Sequence, residues 1–252
     1  MPARLAQSGG HSNRSSNRSA EQVRRFAPLA KPHSEKGNSV IELSAIDLSC
    51  VRAGRQVFRS VCFTLRGGQV LAVTGPNGAG KSSLLRLIAG LLRPSAGSVT
   101  LTGGDPELSI GEQAHYVGHQ DALKASLTVA ENLSFWASIL GGAGKVEEAL
   151  SRVGLGSLAP LPALHLSAGQ RRRLSLARLL AAPRPIWLLD EPASSLDAPG
   201  GAMLAEITQM HVGGGGLILM AVHGATDIQA SAELRLQGPS PNPRGTSRGQ
   251  TP

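Results

Sequence analysis

The segment TGPNGAGKSS, residues 74–83, decides the fold of this 252-residue chain. From Gly75 onward it follows the spacing G-x4-G-K-S, which is typical of a loop that holds phosphate. Three glycines alone would also fit a flexible turn. Residues 69–73 are predicted to form a strand and residues 82–92 a helix, which is the context that a phosphate-binding loop requires.

Each residue type in this loop has a chemical reason. Glycines allow successive backbone N–H groups to turn inward around a phosphate. Lys81 brings a positive charge to the phosphate oxygens, and the Ser82 hydroxyl can ligate Mg²⁺. The loop therefore predicts a site for a phosphate chain and its magnesium ion.

The positive charge of the chain is concentrated in its terminal segments. The formal net charge is +8, but residues 1–36 carry seven Lys or Arg against two Glu, and the residues after 237 carry two Arg and no acidic residue. Residues 37–237 hold 16 basic and 15 acidic residues, so they are nearly neutral. A neutral body lacks the basic surface that nucleic acid requires, and we expect no nucleic-acid partner.

Composition also bounds the core and the compartment. Hydrophobic residues make up 41% and aromatic residues 3%, so the core must be mostly aliphatic. No apolar run approaches the roughly 18 residues that span a bilayer, and we expect a cytosolic body. Cys50 and Cys62 fall in apolar alternating stretches, which predicts buried, reduced thiols. Residues 1–38 and 238–252 lack any strand or helix period and are predicted to be disordered.

Between these termini, strand and helix patterns alternate. This order predicts an α/β fold with a parallel central sheet, an antiparallel β subdomain and a small helical subdomain at about residues 121–166. Alternation and β-branched residues predict strands at 40–48, 57–65, 69–73, 98–102, 114–117, 186–190, 217–222 and 233–236. Residues 125–182 are predicted to be all helical, as three successive segments: TVAENLSFWASIL, KVEEALSRVGL and SAGQRRRLSLARLLA.

A second motif, PIWLLDEP at residues 185–192, is an apolar strand that ends in two adjacent carboxylates. A strand-end carboxylate beside the phosphate loop can hold Mg²⁺ through water, which suits Asp190. Glu191 then points toward the γ-phosphate and can polarise the attacking water. The alternative is a buried strand that ends in a solvated acidic turn, but the glycine loop favours the catalytic interpretation.

The segment LSAGQRRR, residues 166–173, predicts the start of a helix. Ser167 can cap this helix, and the small residues Ala168 and Gly169 allow another group to approach its free N–H groups. A helix N-terminus of this kind binds anions. By itself the segment also fits an ordinary capped helix with solvated arginines.

Together these motifs resemble those of ABC-transporter nucleotide-binding domains, over about residues 39–237. GPNGAGKSS looks like the Walker A loop of that family, IWLLDEP like its Walker B strand with the catalytic glutamate, and LSAGQ like its signature motif. Gln120 of VGHQD matches the Q-loop glutamine, Asp197 of SSLD the D-loop, and His223 of MAVHG the switch histidine. The resemblance implies the P-loop ATPase fold of that family.

The resemblance also implies an ATPase that uses ATP and Mg²⁺. Contacts to the nucleotide are then expected from Gly75, Pro76, Asn77, Gly78, Ala79, Gly80, Lys81, Ser82, Ser83 and Arg52. Catalytic roles are expected for Lys81, Gln120, Glu191 and His223. Magnesium is expected at Ser82, Gln120 and Asp190.

In that family two such domains pair head to tail. The resemblance therefore implies a homodimer in which ATP held by Lys81 of one copy is covered by the signature residues of the other. These residues are Leu166, Ser167, Ala168, Gly169 and Gln170.

The chain departs from the family pattern in three places. The residues around His223 are atypical, with Ala221 and Val222 before it and Gly224 after it, and Ala168 replaces the usual glycine of the signature. Arg52 stands where an aromatic residue usually stacks on adenine. A guanidinium can also stack on a ring, but base selectivity stays open.

Within the family, residues 116–136 and 166–192 are similar to the ATP-binding subunits of bacterial cytochrome c maturation systems. This similarity implies a peripheral subunit at the cytoplasmic face of the inner membrane, bound to integral membrane permease subunits. ATP turnover would support haem export or release of a haem chaperone. The alternative is the ATPase subunit of an ABC importer or exporter for another solute. Phe135 and Trp136 either line the groove for a membrane partner or pack inside the helical subdomain.

Overall fold

The computed structural model describes residues 40–142, 144–224 and 228–238. The disorder predicted for residues 1–38 and for the C-terminal tail falls outside these ranges, apart from Gly238. Within the described ranges, no helix has the length and apolar character needed to cross a membrane.

Three strands precede the first helix of the described chain, and three helices lie together between the fifth and sixth strands. The strands are β1 (Glu42–Arg52), β2 (Arg55–Arg66), β3 (Val70–Thr74), β4 (Ala96–Thr102), β5 (Ala114–Val117), β6 (Ile186–Asp190), β7 (Leu217–Ala221) and β8 (Ala232–Arg235). The α-helices are α1 (Lys81–Ile88), α2 (Val129–Leu140), α3 (Val146–Arg152), α4 (Ala168–Ala181) and α5 (Ala198–Gly213). Two 3₁₀ turns lie at Gly156–Leu158 and Ala163–His165.

In the part of the chain that the structure describes, five strands form a parallel sheet in the order β5-β6-β7-β3-β8. Its inner strands are buried, and a strand buried on both faces has a continuous apolar sequence, such as LILMA at 217–221. The carboxyl ends of parallel strands lie at one edge of a sheet, so the loops after β3, β6 and β7 share that edge. The predicted α/β fold with a parallel central sheet is confirmed.

A separate antiparallel sheet of the described residues has the strand order β2-β1-β4. Its hairpin turns at Ala53 and Gly54, which have φ values of 47° and 73°, as a two-residue type I′ turn requires. Next to this turn Arg52 pairs with Arg55. The hairpin therefore carries Arg52 close to its tip.

Three groups of buried apolar side chains hold these layers together. The first includes Leu85 of α1 and joins the antiparallel sheet, α1 and one face of the parallel sheet. The second covers the other face with α4 and α5, through Leu176 and Leu204. The third joins α2, α3 and α4, through Leu133 and Leu150. Helix α4 contributes to the last two groups, so it links the helical part to the sheet, while the predicted subdomain boundary at about 121–166 stays a prediction.

The first helix is shorter than predicted. Helix α1 ends at Ile88 rather than at residue 92, because Gly90 has φ 73° and the Leu91 N–H donates back to the Arg86 carbonyl at 2.8 Å. The three successive helices predicted within residues 125–182 are confirmed as α2, α3 and α4, and the two 3₁₀ turns lie between α3 and α4. The prolines at 160 and 162 lack the N–H donors that a continuous helix needs.

The predicted burial of the cysteines is confirmed for Cys50 and wrong for Cys62, which is exposed. The pairing of β1 with β2 shifts register near Ser60, which adopts φ 49°. Phe58 and Val61 are both buried although they are three residues apart. One extra residue between them reverses the alternation of side chains, and Cys62 then points away from the core.

Candidate functional site

The loop between β3 and α1 requires glycine at two positions. Gly75 has φ 133° and lies so close to the carbonyl oxygen of Leu236 that a Cβ atom would overlap it. Gly80 has φ 101°, and a Cβ atom there would lie 2.5 Å from Val57 Cγ1 and 2.9 Å from Phe58 Cδ1. Only glycine fits this geometry, so the loop turns tightly against β2 before it enters α1.

Lys81 is the first residue of α1 and is only 6% exposed. Its Nζ donates to the carbonyl oxygens of Gly75 at 2.8 Å and Pro76 at 3.3 Å. No ion pair among the described residues includes Lys81. A buried ammonium group that has loop carbonyls as partners, at the positive end of a helix, is electrostatically suited to an anion. The lysine and its loop therefore fit a phosphate chain.

Asp190 lies at the end of β6, is 2% exposed and accepts hydrogen bonds on both carboxylate oxygens. Ser82 Oγ donates to Oδ1 at 2.9 Å, and the Tyr116 hydroxyl donates to Oδ2 at 3.4 Å. Arg86 Nε in turn donates to the Tyr116 hydroxyl at 3.0 Å. The Ser82 and Asp190 oxygens, both hard ligands, are thus already adjacent, which fits Mg²⁺.

Sequence reasoning missed two members of this network, Arg86 and Tyr116. The hydrogen bond from Arg86 to Tyr116 raises the pKa of the guanidinium, and burial raises the pKa of the Tyr116 phenol. Two signals were present in the sequence. Tyr116 is the single tyrosine of the chain, and Arg86 interrupts the apolar run of α1.

Glu191 follows β6 with φ 49°, an uncommon conformation for a residue with a side chain. Its N–H donates to the carbonyl of Ala221, the last residue of β7, at 3.0 Å. Glu191 lines a cavity of about 260 Å³ whose wall also includes Ser194 and His223. Glu191 and His223 therefore line the same cavity at the carboxyl edge of the parallel sheet.

A larger cleft of about 590 Å³ joins the glycine loop to the β1–β2 hairpin. Its lining residues are Arg52, Ala53, Val57, Asn77, Gly78, Gly80, Lys81, Ser82, Ser83, Arg86 and Glu191. The size is within the usual range for small-molecule sites. The structure thus brings together most of the predicted nucleotide contacts, including Arg52 on the hairpin side, while Gly75, Pro76 and Ala79 belong to the loop without lining the cleft.

Gln120 and the signature residues do not line this cleft. Gln120 is exposed in the loop after β5. Ser167 caps α4, accepting from the Gln170 N–H at 3.1 Å, while Gln170 Oε1 accepts from the Ser167 N–H at 2.8 Å. Leu166 is buried, whereas Ser167 and Ala168 are exposed. The exposed start of α4 therefore does not line the cleft of its own chain.

Gly169 and Asp197 belong to neighbouring turns. A Cβ atom on Gly169 would lie 3.0 Å from the carbonyl oxygen of Ser195. Asp197 is exposed and caps α5, because its Oδ1 accepts from the Gly200 N–H at 3.0 Å. The predicted signature and D-loop segments thus lie side by side in one chain.

Comparison with known proteins agrees with the site geometry described above. Residues 58–194 match the family model described as ABC transporter. The chain is 58% identical over 199 residues to the "Cytochrome c biogenesis ATP-binding export protein CcmA" of Nitrobacter winogradskyi, covering 79% of this chain and 99% of that protein. It is 47% identical over 202 residues to the protein of the same name from Paramagnetospirillum magneticum, covering 77% and 93%.

Solved structures agree on the fold. A putative ABC transporter ATP-binding protein from Pyrococcus furiosus superimposes with a TM-score of 0.67 at 23% identity, covering 77% of this chain and 97% of that one. An ATP-binding subunit of an ABC transporter superimposes with a TM-score of 0.65 at 26% identity, covering 72% and 79%. The chain therefore belongs to the ABC transporter family, within the group of cytochrome c biogenesis ATP-binding export proteins.

Proposed function

We propose that this chain is the ATP-hydrolysing subunit of an ABC transporter complex that serves c-type cytochrome biogenesis. The cytochrome assignment rests on the names of relatives that are up to 58% identical over most of the chain. The observation that carries the chemistry is the buried Lys81 at the cleft, with Asp190 and Glu191 at the same edge of the sheet.

Residues of the glycine loop bind the triphosphate in this proposal. Lys81 exchanges its bonds to the Gly75 and Pro76 carbonyls for phosphate oxygens, which offer it full negative charge. Arg52, which lines the opposite wall of the cleft, stacks on the base. Backbone N–H groups at the start of α1 contribute further donors.

Ser82, Asp190 and Gln120 would hold Mg²⁺, which would supply positive charge beside the phosphates. Ser82 and Asp190 are already within 2.9 Å of each other. Gln120, in an exposed loop at the same edge of the sheet, would supply a further ligand oxygen.

Hydrolysis requires a positioned water beside the terminal phosphate. Glu191 accepts a hydrogen bond from that water and polarises it, and His223, across the shared cavity, orients it and contacts the phosphate. The water oxygen attacks the terminal phosphorus, the bond to the bridging oxygen breaks, and ADP and phosphate leave. Water is excluded from the rest of the site only when the cleft is covered.

A second copy of the chain provides that cover. The start of α4 is exposed at Ser167 and Ala168 and has no role in the cleft of its own chain. A head-to-tail homodimer places this helix N-terminus over the phosphates bound by the partner. Asp197 lies beside the signature turn and contributes to the same interface.

Integral membrane permease subunits complete the assembly, which places the chain at the cytoplasmic face of the inner membrane as a peripheral subunit. Phe135 is 40% exposed and Ile139 59% exposed, one helical turn apart on α2. Trp136 is partly buried and donates from Nε1 to the Ala122 carbonyl. Exposed apolar side chains in this arrangement suit contact with a membrane permease subunit. ATP turnover by the assembly serves haem export or release of a haem chaperone.

ATP hydrolysis by the purified chain with its membrane partners tests the catalytic part. Glu191→Gln should lower turnover at least about 100-fold while ATP binding persists, because an amide polarises water poorly. Glu206→Gln, an exposed position on α5, is the matched control. Normal hydrolysis by Glu191→Gln would refute the assignment. Two measurements distinguish cytochrome biogenesis from transport of another solute. One is the assembly of c-type cytochromes in cells that carry only this variant. The other is the identity of the membrane proteins that co-purify with the chain.

A further inference from the structure

Arg172 is the largest fully buried side chain of the described residues, at 2% exposure, and the site described above does not use it. It lies in α4, two residues after the last signature residue, Gln170. Its guanidinium has five N–H groups and cannot lose its charge in a protein. Such a group is retained in a core only when its donors are satisfied, so its partners indicate its role.

Two backbone segments share this guanidinium. Nη2 donates to the carbonyl oxygens of Asp190 at 3.0 Å and Glu191 at 2.8 Å, and Nε donates to that of Pro192 at 3.1 Å. Three successive carbonyls of the turn after β6 therefore converge on one side chain. These contacts act on the unusual backbone conformation of Glu191, with its φ of 49°.

The remaining donors reach the loop after β5. Nη1 donates to the Gly118 carbonyl at 2.8 Å and to Asp121 Oδ1 at 3.4 Å. These two partners flank Gln120 on both sides. One planar group therefore fixes the backbone around Gln120 and the backbone around Glu191, and all five of its N–H groups have an acceptor.

We propose that Arg172 is a positioning residue that holds the Gln120 loop and the Glu191 turn in one fixed arrangement for hydrolysis. The proposal rests on the proposed ATPase function. The geometry requires arginine, because lysine has three N–H donors and no planar fork, so at least two of the five acceptors would lose their partner. A displacement of the reactive group by about 1 Å can lower a rate about 100-fold.

The test compares Arg172→Lys with Arg184→Lys in the full-length chain, purified with the membrane proteins that it binds. Arg184 is a matched control, because its guanidinium also donates to backbone carbonyls, those of Gly111 and Ala114, at the opposite end of β5. We expect Arg172→Lys to lower kcat for ATP by about 10- to 100-fold, with KM close to that of the control. The melting temperature should also fall, because buried acceptors lose their donors. An unchanged kcat, or a loss of ATP binding in parallel with kcat, would overturn the proposal.

Two further measurements isolate the positioning role. In the Glu191→Gln background, Arg172→Lys should lower the residual single-turnover rate by less than about twofold. The effects of two substitutions do not add when one residue acts through the other. Hydrogen exchange should also accelerate at residues 118–121 and 191–194 and not at 111–114, whether or not the protein hydrolyses ATP. If hydrogen exchange in Arg172→Lys is unchanged, the positioning role is refuted while the proposed function stands. If the unsubstituted chain with its membrane partners does not hydrolyse ATP, the proposed function is refuted.

If Arg172→Lys fails to fold, Asp121→Asn serves in its place, since it keeps the guanidinium and removes its one charged partner. We expect a smaller fall in kcat, about two- to fivefold, at unchanged KM. No fall in kcat would again overturn the proposal.

Discussion

Acid should destabilise this protein through a histidine that is buried in its neutral form. His115 lies in β5, is 2% exposed and shares a hydrogen bond through Nε2 with the carbonyl of Ala182, just after α4. Burial, together with the smaller effect of the Arg184 and Arg178 charges, lowers the pKa of His115 from 6.5 to about 3. In the unfolded chain the imidazole regains its ordinary pKa of about 6.5.

The sign and the size of the effect follow from these two pKa values. Between about pH 6.5 and pH 3 the unfolded chain binds a proton that the folded chain excludes, so the free energy of unfolding falls as the pH falls. At about pH 5 the gap from 6.5 is about 1.5 pH units, and each unit is worth about 1.4 kcal/mol, which gives a loss of about 2 kcal/mol relative to pH 7.5. His211 adds a loss of similar size, because burial lowers its pKa to about 4 beneath the stacked Trp187 ring.

Urea unfolding followed by circular dichroism at about pH 7.5 and pH 5 measures the loss. His115→Gln retains a side-chain donor for the Ala182 carbonyl but has no titrating group. This variant should lose about 2 kcal/mol less than the unsubstituted chain between the two pH values. His165→Gln, at an exposed position, controls for removal of an imidazole. Equal losses in the unsubstituted chain and His115→Gln would refute the reasoning, because His115 would then be protonated at no cost in the folded state.

Two further predictions concern the loop and its metal ligands. Ser82→Ala removes the hydroxyl that lies 2.9 Å from Asp190 Oδ1, and we expect it to weaken ATP binding about tenfold in the presence of Mg²⁺ and little in its absence, as measured with a fluorescent nucleotide. Equal weakening in both conditions would contradict the metal assignment. Gly80→Ala forces a Cβ atom to within 2.5 Å of Val57 at a φ of 101°, and thermal melting should show a loss of about 1–3 kcal/mol. Gly78→Ala, where a Cβ atom meets open space at a φ of 80°, is the control that separates the steric clash from the positive φ.

Local patterns in the sequence were sufficient for the elements that need little from the rest of the chain. The strands at 114–117 and 186–190 begin and end where the apolar runs predict. The glycine loop and the capped start of α4 were also recognisable, because positive φ angles and N-terminal caps depend on neighbouring residues. The family assignment followed from motif order, which is a property of the sequence alone.

Two of the errors in the sequence analysis arise from contacts between residues that are far apart in the chain. Cys62 was misplaced because a bulge in β2, set by its pairing with β1, reverses the alternation of side chains. Tyr116 and Arg86 lie 30 residues apart, so no local sequence pattern predicts their contact with each other or with Asp190. The early end of α1 has a local cause instead, because Gly90 adopts the left-handed conformation that ends helices, whereas the apolar positions continue past it.

The sequence by itself determined which chemical groups the protein carries and which backbone shapes they favour: a phosphate loop, a strand that ends in two carboxylates and a capped helix start. Only the tertiary structure decided which of these groups meet. A parallel sheet joins strands that are distant in the chain, so the distance from Ser82 to Asp190 and the five acceptors around Arg172 depend on how β3, β5, β6 and α4 pack. Local propensity acts over a few residues, whereas a site is assembled by contacts between residues far apart in sequence.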